Sequence, residues 1–333
     1  MQFQSLFIWL RKIFHRLFQH ELIRRMVKNS GYLFSATGSA AAISMLQGIL
    51  VARLLGVENF GILGAMMMFT SVINNLVSFR MGELVIRYVA HFTEQHDPMR
   101  AAAVFKAAAL VEMFASVIAF LLIVFLAPLG AEYLAKDSST TGWFILYGVI
   151  VLANLISESS LGLLQIFDRF RTVAILTMVQ SGVTFVLVFM VYIVGGGMVG
   201  ILLSYLGGKI TGAVTLTLAA LAEARRHWQP GWWRVNARIL RPQGRELINF
   251  AIHTNISASL SLITKDSELL WVSYFRGPLE TGYYKLALSL ANILLLPVSP
   301  LPQATYPELT RQVAQRNWEN VRVVLRQGTF LAG

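Results

Sequence analysis

Eight apolar stretches, each long enough to cross a lipid bilayer and separated by connectors, leave this chain few folds to choose from. A hydrocarbon core about 30 Å thick takes roughly 20 mostly apolar residues per helix. Segments that qualify lie near 31–52, 61–79, 101–127, 143–166, 172–194, 198–222, 246–275 and 283–302, and a ninth opens at Val321. With 56% hydrophobic and only 14% charged residues, the chain departs from soluble domains, in which about a quarter of residues are charged. The expected fold is an all-α, polytopic transmembrane helix bundle of about eight spans plus the start of a ninth. The sequence has no cysteine, which removes disulfides, thiolate zinc sites and cysteine nucleophiles together.

The connectors alternate in charge. The N-terminal segment, 80–100, 167–171, 223–245 and 303–326 hold 6, 3, 2, 6 and 4 Lys or Arg residues, whereas the opposite set holds only Arg53, Lys136 and Arg276. Cytoplasmic loops carry the basic excess, so a multi-pass protein of the inner (plasma) membrane with a cytoplasmic N-terminus is expected. The net charge of +11 then reports topology, and no nucleic-acid partner is needed to explain it. Residues 1–30 lack a cleavable signal pattern. Phe3, Phe7, Leu10, Phe14 and Leu17 recur at helical spacing beside Arg11, Lys12, His15 and Arg16, a pattern suited to lying on anionic membrane lipids or, equally, to a frayed basic tail.

An internal repeat emerges at an offset of 221 residues. Gly56 and Gly61 bracket the turn after the first span, and Gly277 and Gly282 bracket the turn after the seventh. The same offset superposes span one on seven and two on eight, as in transporters built from two related bundles. The expected organisation is a basic amphipathic segment (1–30), a six-span bundle (31–222), a basic connector (223–245) and the opening of a second bundle (246–333). A full second bundle would run well past residue 400, so a shortened chain is expected.

These residues carry a family resemblance. The run Ala52-Arg53-Leu54-Leu55-Gly56-Val57-Glu58-Asn59-Phe60-Gly61 resembles the first-turn signature of the polysaccharide-biosynthesis flippases, the exporters of O-antigen and related lipid-linked oligosaccharides. Val85-Ile86-Arg87-Tyr88-Val89-Ala90 supports it, as do Glu268, Gly282-Tyr283-Tyr284 and Tyr306-Pro307-Glu308-Leu309. The likeness covers roughly 31–326. It places the chain beside the multidrug and toxin extrusion transporters and implies two bundles around a central cavity. The implied activity moves undecaprenyl-pyrophosphate-linked sugars from the inner to the outer leaflet by alternating access, with no enzymatic step and no cofactor. A lipid-linked sugar pyrophosphate is the implied partner, with polysaccharide polymerase and glycosyltransferases as further partners.

Ionisable groups inside a bilayer are expensive and need a partner or a task. On a continuous helix through the seventh span, Thr254, Ser257, Ser261, Thr264, Lys265 and Glu268 share one face, about 100° wide at 100° per residue. Glu268 is therefore a candidate for proton or cation coupling and Lys265 a counter-charge for a pyrophosphate; a plain i,i+3 ion pair is the alternative. Asp266 falls to the side of that face, beside Asn255 and Ser259, and ranks lower for coupling. Lys285 could meet a phosphate or snorkel to the surface. Lys209 and Glu158 lie deep, without a partner apparent from the sequence. Arg53, beside the first turn, could grip a diphosphate with its planar fork or pair locally with Glu58.

Other motifs are discounted. Gly195-Gly196-Gly197-Met198-Val199-Gly200 fits a dinucleotide fingerprint without the strand and acidic residue that such a site needs; it reads as a tight turn. Gly200, Ser204, Gly208 and Gly212 recur every four residues and predict close helix packing. The histidines lack zinc-protease spacing, and no phosphate-cradling loop precedes a Lys-Ser/Thr pair. A drug/cation antiporter is the main rival to a flippase, and an inactive fragment of one is another. A membrane glycosyltransferase or polymerase would need a larger outward loop than 128–142.

Overall fold

The computed structural model describes residues 21–228, 230–265, 267–293, 301–315, 317–318 and 321–322. Every long element among them is helical. Helix α1 (Glu21–Val77) is followed by α2 (Met81–Glu94), α3 (Pro98–Tyr133), α4 (Thr141–Ala153), α5 (Ser157–Ile166), α6 (Phe170–Val194) and α7 (Gly197–His227). After a connector containing a 3-10 segment, Ala237–Gln243, come α8 (Gly244–Lys265), α9 (Glu268–Arg276), α10 (Pro278–Ile293) and α11 (Leu301–Ala314). Five helical stretches among the described residues are long and apolar enough to cross a membrane. The first, Gly38–Val77, has 40 residues, or about 60 Å at 1.5 Å per residue, enough for two passages. Residues 1–20, where the basic amphipathic segment was expected, lie outside the described residues.

The helices are apolar nearly all round, as helices bathed in lipid must be. In α3, Ala115, Ala119 and Ile123 face neighbours, while Phe114 and Phe125 are 69% and 77% exposed on the other side. Helix α2 behaves differently. It buries Leu84, Val85, Tyr88, Val89 and Phe92 and turns Arg87 and Glu94 outward or to the side. The caps are conventional: Asp97 accepts from the Arg100 N–H at 3.0 Å with Pro98 in the first turn, which satisfies an otherwise orphan donor. Asp137 does the same for Ser139, and those hydrogen bonds hold its carboxyl below the usual carboxylate range. Gly195 ends α6 in the left-handed conformation at φ 73°, so the Gly195–Gly197 run is the tight turn expected of it.

The break at residue 56 is the repeat seen in three dimensions. Gly56 has φ 77° and ψ 165°, and Gly277 has φ 95° and ψ −178°, the same backbone region, one that only glycine enters cheaply. Around these turns α1 and α10 cross. A Cβ on Gly61 would run into the Pro278 carbonyl and the Gly282 nitrogen, and a Cβ on Gly282 would run into the Val57 carbonyl. Val57 and Pro278 are themselves 221 residues apart. The contact is therefore reciprocal, as a local two-fold axis requires. Gly64 faces Lys285, its own partner at the same offset, and the lysine stem occupies the space that a Gly64 side chain would take.

Apolar packing concentrates towards the two ends of the bundle. Near the connector, Phe92, Phe105, Leu163, Leu164 and Phe170 join Trp228 and Trp232. Towards the Gly56 end, Leu63, Met66, Phe144, Ile201 and Leu202 form a second cluster. Helices α6 and α7 meet through the small-residue stripe: Gly200 lies against Val191, Gly208 against Thr184 and Gly212 against the Gln180 amide.

Candidate functional site

Between those two clusters lies a cavity of about 400 Å³ with a polar lining. It is enclosed by α1, α3, α6, α7 and the broken passage formed by α4 and α5. That passage breaks because Asn154 ends α4 and Ser157 starts α5, leaving the first N–H groups of α5 without partners inside their own helix. Glu112, projecting from the middle of α3, supplies them. Its carboxylate accepts from the Glu158 N–H at 2.8 Å, the Ser159 N–H at 2.9 Å and the Ser159 hydroxyl at 2.6 Å. Glu112 is 7% exposed.

Glu158 extends into the same cavity and accepts from the Ser78 hydroxyl at 3.4 Å. Nearby, Arg80 adopts a left-handed conformation at φ 50° and pairs with Glu83 at 3.1 Å. Lys209 enters from α7, twelve residues past Gly197, which sets it about 18 Å along that helix and near the middle of a bilayer. Among the described residues Lys209 has no hydrogen bond or ion pair. Asn74, Asn154 and Gln180 complete the polar lining. Lys209 and Glu158, unconnected in the sequence, thus share one chamber.

The second-repeat candidates fall elsewhere. The seventh passage is not one helix: α8 ends at Lys265 and α9 starts at Glu268. The single face drawn through Thr254, Lys265 and Glu268 assumed an unbroken helix and does not survive that break. Glu268 is exposed and accepts from the Tyr284 hydroxyl at 2.9 Å. Thr254 turns its hydroxyl back to the Phe250 carbonyl at 2.8 Å. Asn255 instead reaches across to α1, donating to the Asn75 carbonyl at 3.3 Å and to the Ser78 carbonyl. Asp266 and the side chain of Lys265 lie outside the described residues. Arg53 is exposed beside Gly56 and forms no ion pair with Glu58 among the described residues. Lys285 does not snorkel outward. Its ammonium sits 4.3 Å from the centre of the Phe60 ring and 3.5 Å from the Met67 sulfur, across the α1–α10 seam.

The seam continues at both ends of the molecule. At the Gly56 end, the Ser273 hydroxyl donates to the Leu134 carbonyl at 2.9 Å and Lys136 to the Tyr274 carbonyl at 3.0 Å. At the connector end, Arg311 donates to the Ile166 carbonyl at 3.0 Å and meets Asp168 at 3.3 Å. Tyr88 donates to Glu246 at 3.0 Å, and Gln315 to Glu94 at 3.0 Å. Burial, reinforced by the Glu246 carboxylate, pushes the Tyr88 phenol up to about 12, so it stays a donor at any physiological pH. Among the described residues no cluster of three His, Cys, Asp or Glu side chains is arranged to hold a metal ion.

Glu112 is the residue that sequence reasoning missed. An acid in the apolar run 101–127 was the available signal, since such residues start as site hypotheses; its task became visible only with the break in the facing passage.

The helical bundle shares its fold with solved transporters of the MOP superfamily. The chain superposes with a TM-score of 0.74 on an outward-facing multidrug resistance MATE family transporter of that superfamily, at 14% identity over 94% of this chain and 70% of the other. A MOP superfamily transporter from Pyrococcus furiosus, described by a binding pocket of reversed polarity, matches with the same score, identity and coverage. The Vibrio cholerae MATE transporter VcmN follows with a TM-score of 0.73, at 12% identity over 92% of this chain and 69% of that one. Residues 26–313 match the family described as "Polysaccharide biosynthesis protein", and the chain belongs to that family. It is also 20% identical over 292 residues to the inner membrane protein YghQ of Escherichia coli (strain K12), across 86% of this chain and 81% of that protein.

Proposed function

We propose that this protein is a flippase that carries lipid-linked oligosaccharide, bound through pyrophosphate to a polyprenyl chain, from the inner to the outer leaflet of the inner membrane. The observation that carries this reading is membership of the polysaccharide biosynthesis family over residues 26–313. The cavity is consistent with it: Lys209 lines it with no ion pair among the described residues, where an anionic headgroup would find little competition from water. Lys285 and Arg53 offer further positive charge towards the Gly56 end, and Lys265 is a further candidate from α8. Glu158, which lines the same cavity as Glu112 and Lys209, is a coupling candidate, as are Glu268 and, from the sequence, Asp266. The basic connectors support a cytoplasmic N-terminus, with glycosyltransferases delivering the substrate on that side and a polymerase receiving it on the other.

The test is complementation. A strain lacking its own flippase should recover surface polysaccharide when this protein is supplied, and Lys209→Ala should reduce that recovery at least tenfold. Unrestored polysaccharide with normally inserted protein would refute the reading. Drug or cation antiport has one observation in its favour, the two carboxylates Glu112 and Glu158 on the cavity wall. Raised resistance to cationic drugs, lost in Glu158→Gln, would decide for antiport.

A further inference from the structure

A second concavity, about 550 Å³ in volume, lies between α3 and α8 beside the connector. Val104 and Val111 of α3 line one side, Leu247 and Ile248 of α8 the other, and Leu84 of α2 contributes as well. Among the described residues that line it, Arg241 is the only one with a charged or polar side chain. A groove this apolar, with Val111 and Ile248 left 42% and 61% exposed, needs a hydrocarbon occupant.

Its length identifies the kind. The lining runs from Gly244 to Ile252 on α8 and from Val104 to Val111 on α3, about 10–12 Å at 1.5 Å per residue. One leaflet contributes about half of a 30 Å hydrocarbon core. The groove therefore spans most of one leaflet's depth, enough to hold the greater part of a single acyl tail descending from one face.

The charge at its shallow end identifies the headgroup. Residues 225–245 hold six arginines and no acid. Arg234, Arg238, Arg241 and Arg245 are exposed and form no ion pair among the described residues. The neighbouring carboxylate, Glu246, is already engaged by Tyr88. A guanidinium fork matches phosphate oxygens, and basic pockets between membrane helices recognise acidic headgroups. We infer that this groove is a binding site for an acidic diacyl phospholipid, one tail held between α3 and α8 and the phosphate on Arg241. The site lies outside the polar cavity, and its assignment does not depend on what the protein carries. A bound lipid there fills the gap between α3 and α8 and tethers the connector to the leaflet.

Native mass spectrometry of the full chain, with phosphatidylglycerol or phosphatidylcholine of identical acyl chains added, tests the assignment. The wild type should retain phosphatidylglycerol preferentially. Arg241→Gln should weaken that retention about fivefold, the effect of one basic residue near an anionic surface, and leave phosphatidylcholine unchanged; Arg276→Gln, exposed at the opposite, Gly56 end, should change neither. Val111→Trp should displace both lipids, and Ile248→Trp, at a more exposed position, serves if Val111→Trp does not insert. Equal retention of the two lipids would overturn the proposal, as would phosphatidylglycerol binding unaffected by Arg241→Gln. Displacement of phospholipid from the groove by a polyprenyl-linked saccharide would also overturn it, by assigning the groove to cargo.

Discussion

At the Gly56 end, α1–α7 and α8–α11 meet through main chain, Gly61 against Pro278 and Gly282 against Val57; at the connector end they meet through long polar side chains, Arg311 with Asp168 and Tyr88 with Glu246. The first contact depends on shape and repeats itself across a two-fold relation. The second depends on charge and hydrogen bonds that water can replace one at a time. A glycine crossing has no partial state, because any side chain separates the helices. Polar clasps, each worth little on its own, can open and re-form. For the transport proposed above, the connector end is the seam better suited to repeated opening, and the glycine crossing is better suited to stay fixed.

The largest effect should come from the crossing itself. Gly61→Val meets main-chain atoms of Pro278 and Gly282, so its cost should exceed the about 1–3 kcal/mol of ordinary overpacking, and thermal unfolding in detergent should show a much less stable or unassembled protein. Gly282→Val should match it, because the contact is reciprocal; a benign Gly282→Val would break the symmetry. Next comes Glu112→Ala, which leaves two buried N–H groups and a hydroxyl without their acceptor. Each such orphan costs about 1–3 kcal/mol, partly offset by water in the polar cavity, and hydrogen exchange should rise first at the start of α5.

A smaller effect is expected at Gly64. Gly64→Ala meets the far part of a flexible lysine, so stability should fall by about 1 kcal/mol, the low end of overpacking. Lys285 should then leave the Phe60 ring and become reactive to amine-labelling reagents. Unchanged labelling would show that the lysine is not held by the seam. The smallest change should follow Arg311→Gln, at most about 1 kcal/mol. Spin labels across the connector end should nevertheless report a larger open population, while labels flanking Gly56 and Gly277 stay in place.

Much of this architecture was legible in the residues. Apolar length marked the passages, and Gly56, Gly61, Gly277 and Gly282 marked the repeat, because only glycine meets the backbone demands at those positions. The polar chamber was not. Lys209 and Glu158 lie 51 residues apart, and their meeting depends on how α5 and α7 pack. The stripe through Lys265 and Glu268 was drawn on a helical wheel, which assumes an unbroken helix, whereas α8 ends at Lys265 and α9 starts at Glu268. Glu112 was invisible as a cap because the N–H groups it satisfies belong to a helix 46 residues further on.

The most direct measurement is translocation in proteoliposomes of phosphatidylethanolamine and phosphatidylglycerol, following a fluorescent polyprenyl-pyrophosphate saccharide as it becomes accessible to a quencher on the far side. The wild-type protein should move it severalfold faster than empty vesicles, and Lys209→Glu should return the rate to background. Equal rates with and without the protein, or full activity in Lys209→Glu, would contradict a lipid-linked sugar flippase that works through this cavity.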